Sequence, residues 1–261
     1  MGIMQDRVAI VTGGGGELGF AAARALAGEG ARIALVDKSA PALERNAAEL
    51  MNTTEVLSVV ADVSSEDDVE GYVAATLRRF GRIDAFHNNA GIEGKSASFE
   101  EYDTAEFDRV MAVNVRGVFL GLKHVMRVMK TQRSGAIVNS GSIASERGSQ
   151  NGVAYATSKH AVLGLTRDAA ATMAPHGVRV NAIEPGFMNT RMLRTLAEQQ
   201  SGGKGDAAME QLRSAVPLGR LGSPDEVGSV VAFLLSDHAN YITGAAIPIE
   251  GGLLSIMGNG S

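Results

Sequence analysis

Seven short apolar runs, spaced by stretches of helical pattern, leave a chain like this few folds to choose from. They are Arg7–Thr12, Arg32–Val36, Val56–Ala61, Ile83–His87, Ala136–Ser140, Val178–Ile183 and Ala245–Ile249. Continuous apolar runs mark strands covered on both faces, and helices between them make the crossovers that parallel pairing requires. The alternation predicts one seven-stranded parallel sheet with helices on both faces, residues 1–261 forming a single α/β domain.

The first crossover is the most specific. Arg7–Thr12 ends in four glycines, Gly13 to Gly16; Glu17-Leu18-Gly19 then opens an alanine-rich helix over Phe20–Ala27, and the next run stops at Asp37. Strand, glycine turn, helix, strand and acid compose the dinucleotide-binding unit of a Rossmann fold. Glycines let backbone N–H groups approach a pyrophosphate, and the helix N-terminus offers it partial positive charge. Gly13, Gly16, Glu17, Leu18 and Gly19 are thereby placed at the phosphates. Asp37 is placed to accept hydrogen bonds from the adenosine ribose hydroxyls and to repel a 2′-phosphate, favouring NAD over NADP; Lys38 beside it weakens that preference.

Further helices are predicted over Ala40–Met51, from a capping box at Ser64–Asp67 through Phe80, over roughly Ala105–Lys130 with Asn114 inside it, and from Ser223, where Pro224 sits at the first helical position. Residues 189–214 break the rhythm. There apolar residues flank a polar, glycine-rich centre, longer than most connections in compact domains, and a substrate lid is the expectation.

Gly141–Lys159 carries the chemistry. It leaves a strand at Ser140, crosses a polar loop and enters a helix on which Tyr155 and Lys159, four apart, share one face. An ammonium beside a phenol favours the phenolate, lowering its pKa from about 10 toward working pH. Tyr155 then exchanges a proton with a substrate oxygen as a general acid/base, and Ser142 at the strand end holds that oxygen.

Composition excludes several classes. No cysteine is present, which removes disulfides and thiol catalysis and fits a cytoplasmic protein. A net charge of −5 gives no basic footprint for nucleic acid. No apolar run is long enough to span a membrane and no secretory signal is visible at the N-terminus. His87, His124, His160, His176 and His238 show no ligand spacing, and no metal is assigned.

Together, Thr12-Gly13 with the glycine turn, Asp62, Asn88-Asn89-Ala90-Gly91, Asn114, Ser142, Tyr155-x-x-x-Lys159 and Pro185-Gly186 resemble the short-chain dehydrogenase/reductase family over nearly the whole chain. The resemblance implies NAD (NADH) as cofactor and a secondary alcohol/ketone reaction. Tyr155 is then the proton donor in reduction or the base in oxidation. Lys159 lowers its pKa and bonds the nicotinamide ribose, Ser142 orients the substrate oxygen, and Asn114 holds a water linking Lys159 to solvent. Asp62 and Val63 contact adenine; Asn89, Ala90 and Gly91 line the cofactor channel; Pro185 and Gly186 join it, and Met188 and Thr190 meet the carboxamide. The chain departs from the family in one place, where Glu17 replaces a glycine. An outward-pointing side chain is favoured over weakened cofactor binding or a shifted turn, because acids are common in the first turn of helices.

Within the family the nearest likeness is to cyclic-ketone reductases, carried by Phe80–Asp84, Asn88–Lys95, Arg116–Leu120 and the lid length. The expected substrate wall is Glu93, Ser142, Ile143, Ala144, Asn151, Val153 and Phe187, with Met188, Met192 and Leu193 from the lid. That lining suits a cyclic or medium-sized apolar ketone. A polyol or sugar dehydrogenase, a 3-oxoacyl-thioester reductase and a non-catalytic cofactor-binding sensor are the rival readings. Likeness also implies a dimer or a homotetramer, the tetramer being favoured: Val118, Leu122, Val125, Met126 and Met129 on one helix and Ala161, Leu165 and Ala169 on the next pair across a two-fold axis, save those that must pack against the sheet, and Gly244, Ile249, Gly251 and Gly252 resemble a second interface.

Overall fold

A computed structural model describes residues 2–202 and 204–255. The strands are β1 (Val8–Thr12), β2 (Arg32–Asp37), β3 (Val56–Val60), β4 (Ala85–Asn88), β5 (Gly135–Ser140), β6 (Val178–Pro185) and β7 (Ala246–Ile249). They form one sheet in the order β3-β2-β1-β4-β5-β6-β7, every neighbouring pair parallel. The order turns back between β1 and β4, and beyond the carboxyl ends of strands at such a switch lies the crevice where open α/β sheets bind ligands. The first helices are α1 (Glu17–Gly28), α2 (Ala40–Leu50), α3 (Glu66–Phe80), α4 (Thr104–Met111) and α5 (Gly117–Gln132). After β5 come α6 (Val153–Met173), α7 (Arg191–Ser201), α8 (Gly205–Ala215) and α9 (Pro224–Leu235).

Alternation along β1 divides the core. Ala9 and Val11 face Ala22, Leu26, Leu43, Val227 and Val231 of α1, α2 and α9. Val8 and Ile10 face Val69, Tyr72, Val125, Met129, Val162 and Met173 of α3, α5 and α6. Burying a leucine such as Leu26 contributes about 2 kcal/mol, and truncating it to alanine costs about 2–5 kcal/mol because a cavity is left.

Three expectations change, and the segment expected to be a lid takes a definite form. The capping residue of α3 is Ser65, whose side chain accepts from the Asp68 N–H, while Ser64 turns back to Asp62. The helix expected over 105–130 is α4 and α5 joined by a π-turn at Ala112–Arg116. The segment 189–214 is α7 and α8, an arm whose helices pack chiefly on each other; Gly203 at its centre lies outside the described residues. Finally, Val118, Leu122, Val125 and Met129 of α5 are buried against the sheet with Ala169 of α6, and Met126 and Leu165 pack on the same core, so these side chains do not form a free face. Phe119 of α5 is the exposed apolar residue there. Among the described residues no helix is long and apolar enough to cross a membrane.

Candidate active site

The chain leaves β5 at Ser140 and tightens into a short 3₁₀ turn at Ile143–Ser145, which Ser142 caps: its Oγ accepts from the Ala144 N–H at 3.2 Å, and its own N–H donates to Ser145 Oγ at 3.1 Å. Ser142 is held extended and buried, with its hydroxyl close enough to Tyr155 in the first turn of α6 to act on the phenol. Lys159, one turn on, is 5% exposed; its Nζ donates to the Ser140 carbonyl at 2.7 Å and lies 5.4 Å from the centre of the Tyr155 ring. Serine, tyrosine and lysine lie together beyond β5, Tyr155 and Lys159 as their helical spacing implied.

The electrostatics differ from the expectation. Burial pushes the Tyr155 phenol above its ordinary pKa, the Ser142 hydroxyl opposes that, and the nearby Glu93 carboxylate adds to it. Burial also pulls Lys159 down to about 8. The ammonium points at the Ser140 carbonyl rather than the phenol oxygen, so in this arrangement Tyr155 is a protonated acid and Lys159 a cation near the edge of losing its charge. The chemistry on offer is proton donation to an oxygen held by Ser142.

Behind the triad lies a ring of buried hydrogen bonds. Ser140 Oγ donates to Asn89 Oδ1 at 3.0 Å, so it accepts from His87 Nε2 at 3.1 Å. Asn89 Nδ2 donates to the Thr12 carbonyl, and the Asn89 and Ala90 N–H groups donate to Thr12 Oγ1 at 2.9 and 3.2 Å. Thr12 Oγ1 closes the ring on the His87 carbonyl at 3.5 Å. Full burial pushes His87 down to about 3, so the imidazole is neutral, with its proton on Nε2. The ring fixes the ends of β1, β4 and β5, and with them the carbonyl that receives Lys159.

Asn114 sits in the π-turn with its side chain spent on protein: Oδ1 accepts from the Ile92 N–H and Nδ2 donates to the Ile92 carbonyl, both at 2.8 Å, and Nδ2 also reaches Ser158 Oγ at 3.0 Å. Wide turns of this kind are frequent at functional sites, and here the turn brings Asn114 up to Gly91 and Lys159.

The turn after β1 fits a dinucleotide. Gly13 has φ +67° and a Cβ on it would lie 2.8 Å from Asn89 Nδ2; a Cβ on Gly19 would come 2.2 Å from the Gly13 carbonyl. Only bare backbone packs so closely, and the first-turn amides of α1 at Glu17, Leu18 and Gly19 have no intrahelical acceptors. Asp37 is fixed by two backbone donors, Gly15 N–H at 3.0 Å and Ser39 N–H at 2.9 Å, leaving carboxylate lone pairs for a ribose. Asp62 stands at the end of β3 beside Val63, its carboxylate held below the ordinary range by the Ser64 hydroxyl and N–H. Pro185 ends β6, and the Gly186 N–H donates to the Ile249 carbonyl at 3.0 Å.

On the substrate side, Ile143 and Ala144 follow Ser142, while Val153 opens α6 behind Asn151, an exposed residue at φ +58° whose carbonyl accepts from Ala97. Phe187 and Met188 bridge to Gly222, and Thr190 caps α7, its Oγ1 accepting from Leu193 N–H at 3.3 Å. Leu193 is buried and Met192 partly exposed. Glu17, the residue that departs from the glycine pattern, turns away from its own turn: Oε2 accepts from the Arg191 N–H at 2.6 Å and Oε1 lies 3.4 Å from Arg194.

Sequence reasoning missed His87, Ser140, Ser145, Glu184 and Arg191. Ser145 links Ser142 to Glu184, a buried carboxyl that desolvation pushes up in pKa and whose Oε1 has no partner among the described residues. Polar residues inside apolar strands, His87 in β4 and Glu184 in β6, were the available signal. His124 lies against Glu66 and Glu70, close enough to share a cation, but Lys123 donates to the same Glu66 oxygen that meets His124 Nε2.

Known proteins share this fold. A family model described as enoyl-(acyl carrier protein) reductase matches residues 16–254. The chain is 48% identical over 250 residues to levodione reductase of Leifsonia aquatica, covering 95% of this chain and 94% of that one. A crystal structure of levodione reductase superposes with a TM-score of 0.95 at 46% identity, over 97% of this chain and 99% of that one. NAD+-bound xylitol dehydrogenase superposes with a TM-score of 0.93 at 41% identity, over 95% of this chain and 99% of that one.

Proposed function

Because the chain belongs to the short-chain dehydrogenase/reductase family, and so is an oxidoreductase acting on alcohol or ketone groups, we propose that it interconverts a secondary alcohol and a cyclic or medium-sized apolar ketone with NAD(H). The carrying observation is the buried meeting of Ser142 and Tyr155 with Lys159 one turn away, its Nζ 5.4 Å from the centre of the Tyr155 ring, at the carboxyl edge of β5. When bound, the dinucleotide supplies or accepts the hydride. The protein's part is placement and proton traffic. Ser142 holds the carbonyl oxygen, Tyr155 gives it a proton in reduction and takes one back in oxidation, and the Lys159 charge steadies the tyrosinate left behind. Asn114 braces the Ile92 backbone beside Lys159, so a water on its main chain can refill the proton.

Gly13, Gly16, Leu18 and Gly19 would hold the pyrophosphate, Asp37 the adenosine ribose, Asp62 and Val63 the adenine, and Asn89 to Gly91 with Pro185, Gly186, Met188 and Thr190 the nicotinamide half. NAD is favoured by the Asp37 carboxylate, whose charge repels a 2′-phosphate, and by the likeness to an NAD+-bound relative. A ketone is favoured by the apolar wall of Ile143, Val153, Phe187 and Leu193 and by the likeness to levodione reductase. A polyol is the second reading, on the likeness to xylitol dehydrogenase. The arm of α7 and α8 serves as the substrate lid. A homotetramer in the cytoplasm is the expected state, exposed Phe119 on α5 and Tyr241 before β7 being apolar surface that further subunits would cover.

Tyr155→Phe tests the reading. Turnover should fall by on the order of 10²–10⁴ while NAD binding, followed by fluorescence or calorimetry, is retained. Undiminished turnover would overturn the mechanism; no turnover in the unaltered protein, across ketones and alcohols with either cofactor, would favour the sensor.

A further inference from the structure

The side chain at the family's glycine position is engaged far from its own turn. Glu17 is the first residue of α1, and its Oε2 accepts from the backbone N–H of Arg191, the first residue of α7, at 2.6 Å. Its Oε1 lies 3.4 Å from Arg194, whose other nitrogen donates to Asn189 Oδ1 at 2.7 Å.

Three features give that contact weight. The first turn of α7 contains no acidic residue, so Glu17 supplies the negative charge its N-terminus lacks, as it does for α1. The local cap, Thr190, satisfies Leu193 N–H through its hydroxyl, and Glu17 takes a different orphan donor, so the two caps share the first turn. The arm is also thinly attached: α8 has no buried residue among those described, and the helices of the arm pack chiefly on each other. Half-exposed, the pairing with Arg194 adds little by itself; the charge-assisted bond to a fixed backbone N–H is the stronger part. A glycine at residue 17 could make neither contact.

We propose that Glu17 is a positioning residue for substrate binding: it ties the N-terminus of α7 to the N-terminus of α1, so that the dinucleotide turn and the arm closing over the substrate are held as one unit. The proposal rests on the arm's role as lid, yet the tie can be measured without turnover.

The experiment is amide hydrogen exchange on the cofactor-free protein, read over residues 191–201, for Glu17→Gly, Glu17→Gln and Glu17→Asp. Glu17→Gly is expected to speed exchange there on the order of tenfold while leaving the amides of β1 and β4 protected. Glu17→Gln keeps the length and an acceptor for Arg191 N–H and should restore most of the protection; Glu17→Asp, one methylene shorter, should not. In steady state, KM for the ketone should rise more in Glu17→Gly than the dissociation constant for NAD. Unchanged exchange over 191–201 in Glu17→Gly would overturn the proposal. So would a tenfold tighter NAD complex with no change in the arm, which would make Glu17 a charge set against the pyrophosphate instead. A protein that turns over no substrate but shows the exchange pattern would retain the tie and lose only the enzymatic reading.

Discussion

The ends of β1, β4 and β5 and the arm of α7 and α8 face the same crevice but are built in opposite ways. At the strand ends, Thr12, His87, Asn89 and Ser140 close a ring of hydrogen bonds in which Thr12 and His87 are fully buried. In the arm, α7 buries Leu193 and Ala197, α8 buries nothing among its described residues, and the tie to the body runs through the half-exposed Glu17. A buried polar network is rigid because each lost partner leaves another group stranded, and in this ring His87 Nδ1 already lacks a partner among the described residues. A surface arm with few buried contacts opens at little cost. On the proposed reading the chemistry belongs to the rigid part, where atoms need fixed positions, and substrate selection to the part that can move.

The largest expected effect is on the ring. Thr12→Val removes the acceptor shared by Asn89 and Ala90 N–H groups and should destabilise the protein by about 2–4 kcal/mol in chemical denaturation. A loss below about 0.5 kcal/mol would mean the strand ends are no stiffer than the arm. Next in size, Asp37→Ala should shift the NAD:NADP ratio of kcat/KM toward NADP by about tenfold, since like-charge repulsion of a 2′-phosphate is removed.

A pH profile reaches the junction of the two parts. The folded protein releases the Lys159 proton near about 8, whereas the ordinary value is 10.5. The unfolded chain therefore holds more protons across that interval, so Lys159 favours stability as pH rises through it, while the charge that steadies a tyrosinate is lost. Ketone reduction should thus decline above about pH 8, and Lys159→Arg, which keeps its charge, should remove the decline even if its rate is lower. The smallest effect is expected in the arm: Met192→Ala should change stability by less than about 0.5 kcal/mol and KM by a few-fold, a pattern that Thr12→Val should not reproduce. If Met192→Ala instead cost as much stability as Thr12→Val, the contrast between the two regions would fail.

The fold was legible because its signals are local. Apolar run length, the glycine turn and the cap at Ser223 each act within a few residues, and β1 to β7 appear within a residue or two of the runs that announced them. Tyr155 and Lys159 were legible for the same reason, since helical spacing alone puts them on one face. The side of α5 that meets the sheet was not, because an apolar stripe looks the same whether it packs on the protein's own core or on a second subunit. The net direction at Tyr155 was not legible: spacing brought Lys159 close, but burial of the phenol outweighs other influences and the Ser140 carbonyl takes the ammonium.

The sequence by itself determined the seven strands, the helices between them and the closeness of Tyr155 and Lys159, because those follow from periodicity and covalent proximity. Only the tertiary structure decided that His87 underpins Asn89 through Ser140, that the phenol is raised rather than lowered in pKa, and that Glu17 caps a helix on the far side of the crevice. Each of those depends on desolvation or on a partner distant in the chain. Both are properties of the packed molecule, set where strands and helices from separate stretches converge.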